Sequence, residues 1–378
     1  MPRTALVIGG TGPTGPHIVE GLLDRGYEVA VLHRGTHEDD ELSPAVEHIH
    51  ADPHYRETFS EGIRGRNFDV VIATYGRVRV IAEELAGQCE QFVGVGGSPI
   101  YRGKLEPSSC RPWGMKLLAT EDDEIVDPDQ DFSQAARFGG AMAATERTVR
   151  HLASEGAFHA TWFRYPMIYG PRNPNPREWH VLKRLSDKRS LMIIPDGGLA
   201  ITSRAAGRNA AHAILLAVDH MQIASGQTYN IGDQLQLSLR QWIELIVDLA
   251  GGSLDLVSLP WELAYPAHSL FPFAGTGSPH DLLDTTKIQR DLGYRDKISV
   301  PNALLETIDY YHRHPVDVTQ HASFHDLFDY QREDILISTY RCMAESVSEE
   351  VRWPPREVVN HSYAHPHRPN LERDHRGR

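Results

Sequence analysis

Val7-Ile8-Gly9-Gly10-Thr11-Gly12-Pro13-Thr14-Gly15-Pro16-His17 decides the fold of this chain. It follows the apolar run 4–8. It precedes Ile18, Val19, Leu22 and Leu23, which recur at helical spacing until Gly26 closes the helix. A strand that turns through glycines straight into a helix opens a βαβ unit. Gly9 permits the tight turn, Gly12 lets bare backbone approach a pyrophosphate, and Gly15 lets the helix pack closely. The helix start then offers unpaired N–H groups and a partial positive charge to phosphates. This stretch predicts a dinucleotide site with Gly9, Thr11, Gly12, Pro13, Thr14 and Gly15 around the diphosphate.

Apolar runs at 28–32, 46–49, 69–73, 91–95 and 160–164 read as further strands. Helical stretches near 55–65, 78–88 and 133–153 separate most of them. Such alternation predicts an α/β fold, a Rossmann-type doubly wound parallel sheet. Pro and Gly clusters at 171–176 and 195–198 then break the chain into shorter elements, with helices expected at 178–188, 208–220, 238–250 and 301–312. This predicts a smaller C-terminal α/β substrate lobe. The expected division is 1–165 for the dinucleotide-binding domain, 166–315 for the substrate-binding lobe, and 316–378 for a helix at about 326–343 with an extended tail.

Composition narrows the function. The 378 residues are 40% hydrophobic and 24% charged, ordinary for a soluble globular protein. A formal net charge of −13 argues against nucleic acid as a partner. No apolar run is long enough to span a bilayer, so no membrane is expected. The three cysteines are too few and scattered for a disulfide framework and lack metal-ligand spacing, which fits reduced thiols in a cytoplasmic protein. His361, His365, His367 and His375 in the tail have no Cys or acidic partner at ligand spacing, and no metal is expected.

The second strand ends in Leu32-His33-Arg34-Gly35. NAD-selective sites carry an Asp or Glu at this place for the ribose 2′-OH, whereas Arg34 suits a 2′-phosphate. NADP(H) is therefore expected over NAD(H), with His33 and Arg34 at the ribose. Asp52 either meets the adenine edge or caps a turn. Thr74, Tyr75 and Gly76 follow the fourth strand, and Tyr165 and Pro166 the sixth, on the sheet edge where ligands bind.

Together these features resemble the extended short-chain dehydrogenase/reductase superfamily, in its NAD-dependent epimerase/dehydratase group. The likeness spans roughly residues 4–312. It rests on the glycine turn, on Arg164-Tyr165-Pro166-Met167-Ile168-Tyr169-Gly170-Pro171, on Gly226-Gln227-Thr228-Tyr229-Asn230-Ile231-Gly232 before Leu237-Ser238-Leu239, and on Asp284-Thr285-Thr286-Lys287 with Leu292-Gly293-Tyr294. The resemblance implies a bound dinucleotide, an enclosed small-molecule substrate and a homodimer. It also implies a Tyr-x-x-x-Lys pair on the helix after the fifth strand, but here Phe138 takes the Tyr place and Met142 the Lys place. Neither can move a proton or hold a charge. Tyr101, Ser98 and Tyr165, all at strand ends, are the alternative groups for acid–base work. Met167 and the reduced block Ser203–Asn209 depart from the pattern for nucleotide-sugar substrates. The first expectation is an NAD(P)-dependent oxidoreductase or epimerase/dehydratase-like enzyme with a non-standard proton donor. The alternatives are a redox-silent NADP(H)-binding sensor or scaffold, and a non-redox isomerase or lyase.

Overall fold

A computed structural model describes residues 2–35, 42–130, 134–271, 277, 279–317 and 326–355, with backbone only at 134–136. The four tail histidines lie outside the described residues. Residues Met1–Asp329 form one compact unit and Tyr330–Arg378 a second.

The first half of unit one alternates strand and helix. It runs β1 (Thr4–Ile8), α1 (Gly15–Asp24), β2 (Glu28–His33), β3 (Glu47–His50), α2 (Arg56–Gly62), β4 (Phe68–Ala73), α3 (Val78–Glu84), β5 (Cys89–Gly97), α4 (Gln134–Ser154) and β6 (His159–Tyr165). The second half holds β7 (Met167–Tyr169), α5 (Trp179–Ser186), β8 (Leu191–Pro195), β9 (Arg204–Ala206), α6 (Gly207–Asp219), α7 (Met221–Ala224) and β10 (Thr228–Asn230). It ends with α8 (Leu239–Leu249), β11 (Asp255–Leu259), α9 (Thr286–Leu292) and α10 (Val300–Arg313). Unit two contains α11 (Tyr330–Val351).

Seven strands make one parallel sheet in the order β10-β6-β5-β4-β1-β2-β3. The chain lays β1, β2 and β3 outward, then crosses back to place β4 on the other side of β1. That reversal opens a crevice at the C-terminal ends of β1 and β4, where ligands bind in such sheets. Both faces of the sheet are covered, which is why its central strands read as unbroken apolar runs. Ala5 and Val7 join one core with Ile18, Leu22 and Ile214; Leu6 and Ile8 join the other with Phe59, Ile81 and Val149.

Two short parallel pairs, β7 with β9 and β8 with β11, lie outside the main sheet and are not among the strands expected from sequence. Three to five residues give too little periodicity to read, and each partner is far along the chain. The helix expected at 326–343 begins at Tyr330 and continues to Val351.

The loop after β5, helix α4 and strands β6 and β10 are joined through one buried ion pair. Arg164 meets Glu146 with two hydrogen bonds, at 3.1 and 2.8 Å, and both side chains are almost fully buried. Arg164 also donates to the Tyr101 hydroxyl and to the Glu121 carbonyl, each at 3.0 Å. Tyr101 in turn donates to Asn230 Oδ1 at 2.7 Å, and Thr228 donates to Glu146 at 3.2 Å. Removing one member of a buried pair strands the other charge. Glu146→Ala is therefore expected to cost about 3–5 kcal/mol of unfolding free energy in a denaturant titration. A loss below about 1 kcal/mol would contradict the role given to this pair.

Candidate active site

The turn between β1 and α1 is shaped by backbone that leaves no room for side chains. A Cβ on Gly9, at φ +98, would come within 2.4 Å of Thr74 Oγ1. A Cβ on Gly15 would sit 2.2 Å from the Gly10 carbonyl, so Gly15 packs on the turn itself rather than on the sheet. Gly12 differs: nothing lies within 4 Å of where its Cβ would point. The space over Gly12 is open to a ligand. Gly207, at the start of α6, closes the turn from the far side, since a Cβ there would meet the Pro13 carbonyl at 2.1 Å. Nothing in the sequence around Gly207 indicates that contact. Pro13 and Pro16 have no N–H, and the Gly15 amide donates to the Gly12 carbonyl at 3.2 Å. Three amide positions of the turn are thus closed to a phosphate.

Beyond the ends of β2, β3 and β4 several ring and charged side chains converge. The Arg34 guanidinium lies 5.7 Å from the Tyr75 ring centroid, and the His54 ring meets Tyr75 edge-on at 5.0 Å. Asp52 accepts from the His54 backbone at 2.9 Å and pairs with its Nδ1 at 2.8 Å. The His54 hydrogen bonds, with Arg34 nearby, hold its carboxyl below the usual carboxylate range. The sequence places no carboxylate beside Arg34 at the end of β2; the fold supplies Asp52 from just beyond the end of β3. His33 accepts the Gly35 amide on Nδ1 at 3.1 Å, so its Nε2 carries the proton toward His48 Nδ1, 2.9 Å away. His50 packs edge-on against the same ring. The structure thus brings His33, Arg34, Asp52 and Tyr75 to one edge. Thr74 Oγ1 is bonded to the Ile8 carbonyl at 3.1 Å, and Gly76 takes φ +88 to turn the chain into α3.

The residues expected to move protons are divided by the fold. Tyr101 is inside the Arg164 network, with its hydroxyl bonded twice. Burial, opposed by Arg164, pushes its pKa up to about 12. Ser98 opens a 3-10 turn (Ser98–Ile100) and is buried. Tyr165 ends β6 directly across from Gly97. Its hydroxyl is buried without a hydrogen-bond partner, with Thr14 of the glycine turn the side chain beside it, and burial drives its pKa above the ordinary tyrosine range. Pro166 next to it is buried. On α4, Phe138 is 42% exposed, whereas Met142 packs with Ile100, Tyr101 and Ala143. Helix and turn meet closely here, because a Cβ on Gly139 would strike the Pro99 carbonyl at 2.4 Å.

On the first turn of α1, His17 is held by burial, and then by Arg208 and Arg172, down to a pKa of about 4. Among the described residues no group of His, Cys, Asp and Glu could hold a metal ion, and no helix is long and apolar enough to cross a membrane.

Residues 5–88 and 108–232 match the model of the NAD dependent epimerase/dehydratase family. Among curated proteins none matches the sequence. Solved structures share the fold. UDP-glucose 4-epimerase of Thermotoga maritima, determined with UDP-glucose, superposes with a TM-score of 0.66 at 19% identity, covering 82% of this chain and 99% of that one. UDP-glucuronic acid 4-epimerase of Bacillus cereus, holding UDP-glucuronic acid and NAD, gives 0.62 at 17%, covering 82% and 99%. dTDP-glucose 4,6-dehydratase of Bacillus anthracis, in complex with NAD, gives 0.62 at 15%, covering 82% and 97%.

Two outcomes follow from this geometry. Gly12→Val puts a side chain where the protein has none, so the fold should survive and dinucleotide binding should vanish in calorimetry; undiminished binding would refute the cradle. His17 has a depressed folded-state pKa, so the unfolded chain takes the proton first as pH falls from 6.5 toward 4. Stability should drop on the order of 3 kcal/mol more over that window than in His17→Gln, read by denaturant titrations at each pH.

Proposed function

The chain belongs to the NAD-dependent epimerase/dehydratase family, and on that premise we propose an NAD(P)-dependent oxidoreductase or epimerase/dehydratase-like enzyme acting on a small molecule. One observation carries this reading: the buried Tyr165 hydroxyl has no hydrogen-bond partner and lies beside Thr14 of the glycine turn, the same turn that leaves open space over Gly12. A native interior rarely leaves such a group unpaired, and a ligand across the turn is the natural partner. Gly9, Thr11, Gly12, Pro13, Thr14 and Gly15 would hold the diphosphate, with the hydroxyls of Thr11 and Thr14 compensating for the amides that Pro13 and Pro16 lack. Thr74, Tyr75, Gly76 and Pro166 would border the cofactor along the sheet edge.

We assign the 2′-phosphate of NADP(H) to Arg34, which lies on the Tyr75 ring with His33 adjacent in sequence. When bound, the nicotinamide supplies a site that accepts or donates a hydride. The chain's own task is to hold the substrate proton. Phe138 and Met142 cannot do so. Tyr101 already serves Arg164 and Asn230, so it acts as a positioning residue. Tyr165 keeps its proton at ordinary pH and is the favoured donor, with Ser98 next to Gly97 across the β5–β6 pair. The solved relatives carry UDP-sugars and NAD, and a substrate of that kind is the first to try here. The second reading, a redox-silent dinucleotide sensor, draws on Phe138 standing exposed and Met142 lying in apolar packing. A homodimer and a substrate lobe over 166–315 belong to the same proposal.

The test loads the protein with NADPH or NADP⁺ and adds a panel of nucleotide sugars. A change in bound-cofactor absorbance supports the enzyme; tight binding with none across the panel favours the sensor. Arg34→Ala should weaken NADP(H) about 10–100-fold while leaving NAD(H) nearly unchanged, since a charge-assisted contact to phosphate is worth about 1.5–3 kcal/mol. Equal losses for both cofactors would remove the 2′-phosphate assignment.

A further inference from the structure

Away from the glycine turn, three residues distant in sequence meet in hydrogen-bonding order. Ser269 Oγ lies 3.2 Å from His180 Nε2, and His180 Nδ1 lies 3.3 Å from Asp326 Oδ2. We propose that Ser269, His180 and Asp326 form a nucleophilic site that hydrolyses a carboxylic ester with a small apolar acyl group.

The surroundings give each residue a role. Asp326 is buried, yet His180 and Arg184 keep its carboxyl below the usual range against that burial. Arg184 reaches it at 2.7 Å and the Phe328 amide at 2.9 Å. A carboxylate fixed in this way orders the imidazole so that Nδ1–H faces it and the bare Nε2 faces the serine. His180 is fully buried, and burial, with Arg184 and Arg177 nearby, holds it neutral, the form a general base needs. Phe328 stacks over its ring at 5.8 Å. Ser269 alone is half-buried and reachable. It lies on the 3-10 turn Tyr265–Leu270, which is braced where His268 stacks on Trp261 at 4.1 Å and pairs with its carbonyl. The Trp261 ring also meets the Phe271 ring at 5.5 Å, so the chain on either side of the serine contributes to one aromatic cluster, a lining suited to an apolar acyl group.

The chemistry balances without an oxidant or a nucleotide. Ser269 Oγ bonds to the acyl carbon while its proton passes to His180 Nε2. The C–O bond to the alcohol breaks, and the leaving oxygen takes that proton. Water then attacks the acyl-serine, His180 accepts its proton and returns it to Oγ, and the acid departs. Ester and water become acid and alcohol.

The experiment uses the full chain with no nucleotide added. A fluorophosphonate probe should label the wild type on the peptide carrying Ser269, and p-nitrophenyl butyrate should be hydrolysed. Ser269→Ala should abolish both while leaving the melting temperature and NADP(H) binding in place. His180→Asn, if circular dichroism shows it folded, should slow hydrolysis about 10³-fold or more. An unlabelled wild type, or labelling that persists in Ser269→Ala, overturns the proposal; it would leave the dinucleotide reading untouched, because neither assay involves the cofactor.

Discussion

The bidentate contact between Arg164 and Glu146 is the interaction on which the architecture around the site turns. Both charges are out of water, so their attraction must offset a large desolvation cost, and it does so only with every remaining donor and acceptor occupied. Tyr101, Thr228, Asn230 and the Glu121 carbonyl complete that shell. One constraint thereby ties the edge strand of the main sheet, the long helix and the polar loop into a single arrangement. It also engages the Tyr101 hydroxyl, which donates to Asn230 and accepts from Arg164.

Much of this was legible in the chain. Ala5, Leu6, Val7 and Ile8 announce a strand buried on both faces because they are apolar without alternation, and the glycines after them announce the turn. The doubly wound sheet follows from those runs and the helices between them. Arg34 could be placed at a strand end, and the fold sets it on Tyr75. The resemblance to the epimerase/dehydratase group, carried by blocks such as Arg164–Pro171, agrees with the family match over 5–88 and 108–232.

The rest depends on meetings that no local pattern encodes. Tyr101 reads as a strand-end tyrosine like Tyr165; only the fold separates them, giving one hydroxyl two partners and the other none. Ser269, His180 and Asp326 have no shared spacing, since they come from a 3-10 turn, a helix and an irregular segment. Asp52 looks remote from Arg34 until parallel pairing of β2 with β3 sets the two strand ends side by side. Charge and hydroxyl groups can be listed from sequence, but their partners are set by register and crossover.

The contact of Gly207 with the Pro13 carbonyl has a consequence for how the molecule comes into being. The glycines that define the turn are made first and the residue that walls it in is made far later, so the turn is closed late. During synthesis the emerging amino-terminal segment would present an unfinished cleft, and a nucleotide could select only chains whose sixth helix has docked. Because a ligand stabilises whatever state it binds, that selection would act as a late lock on the assembled unit rather than as an early guide to folding.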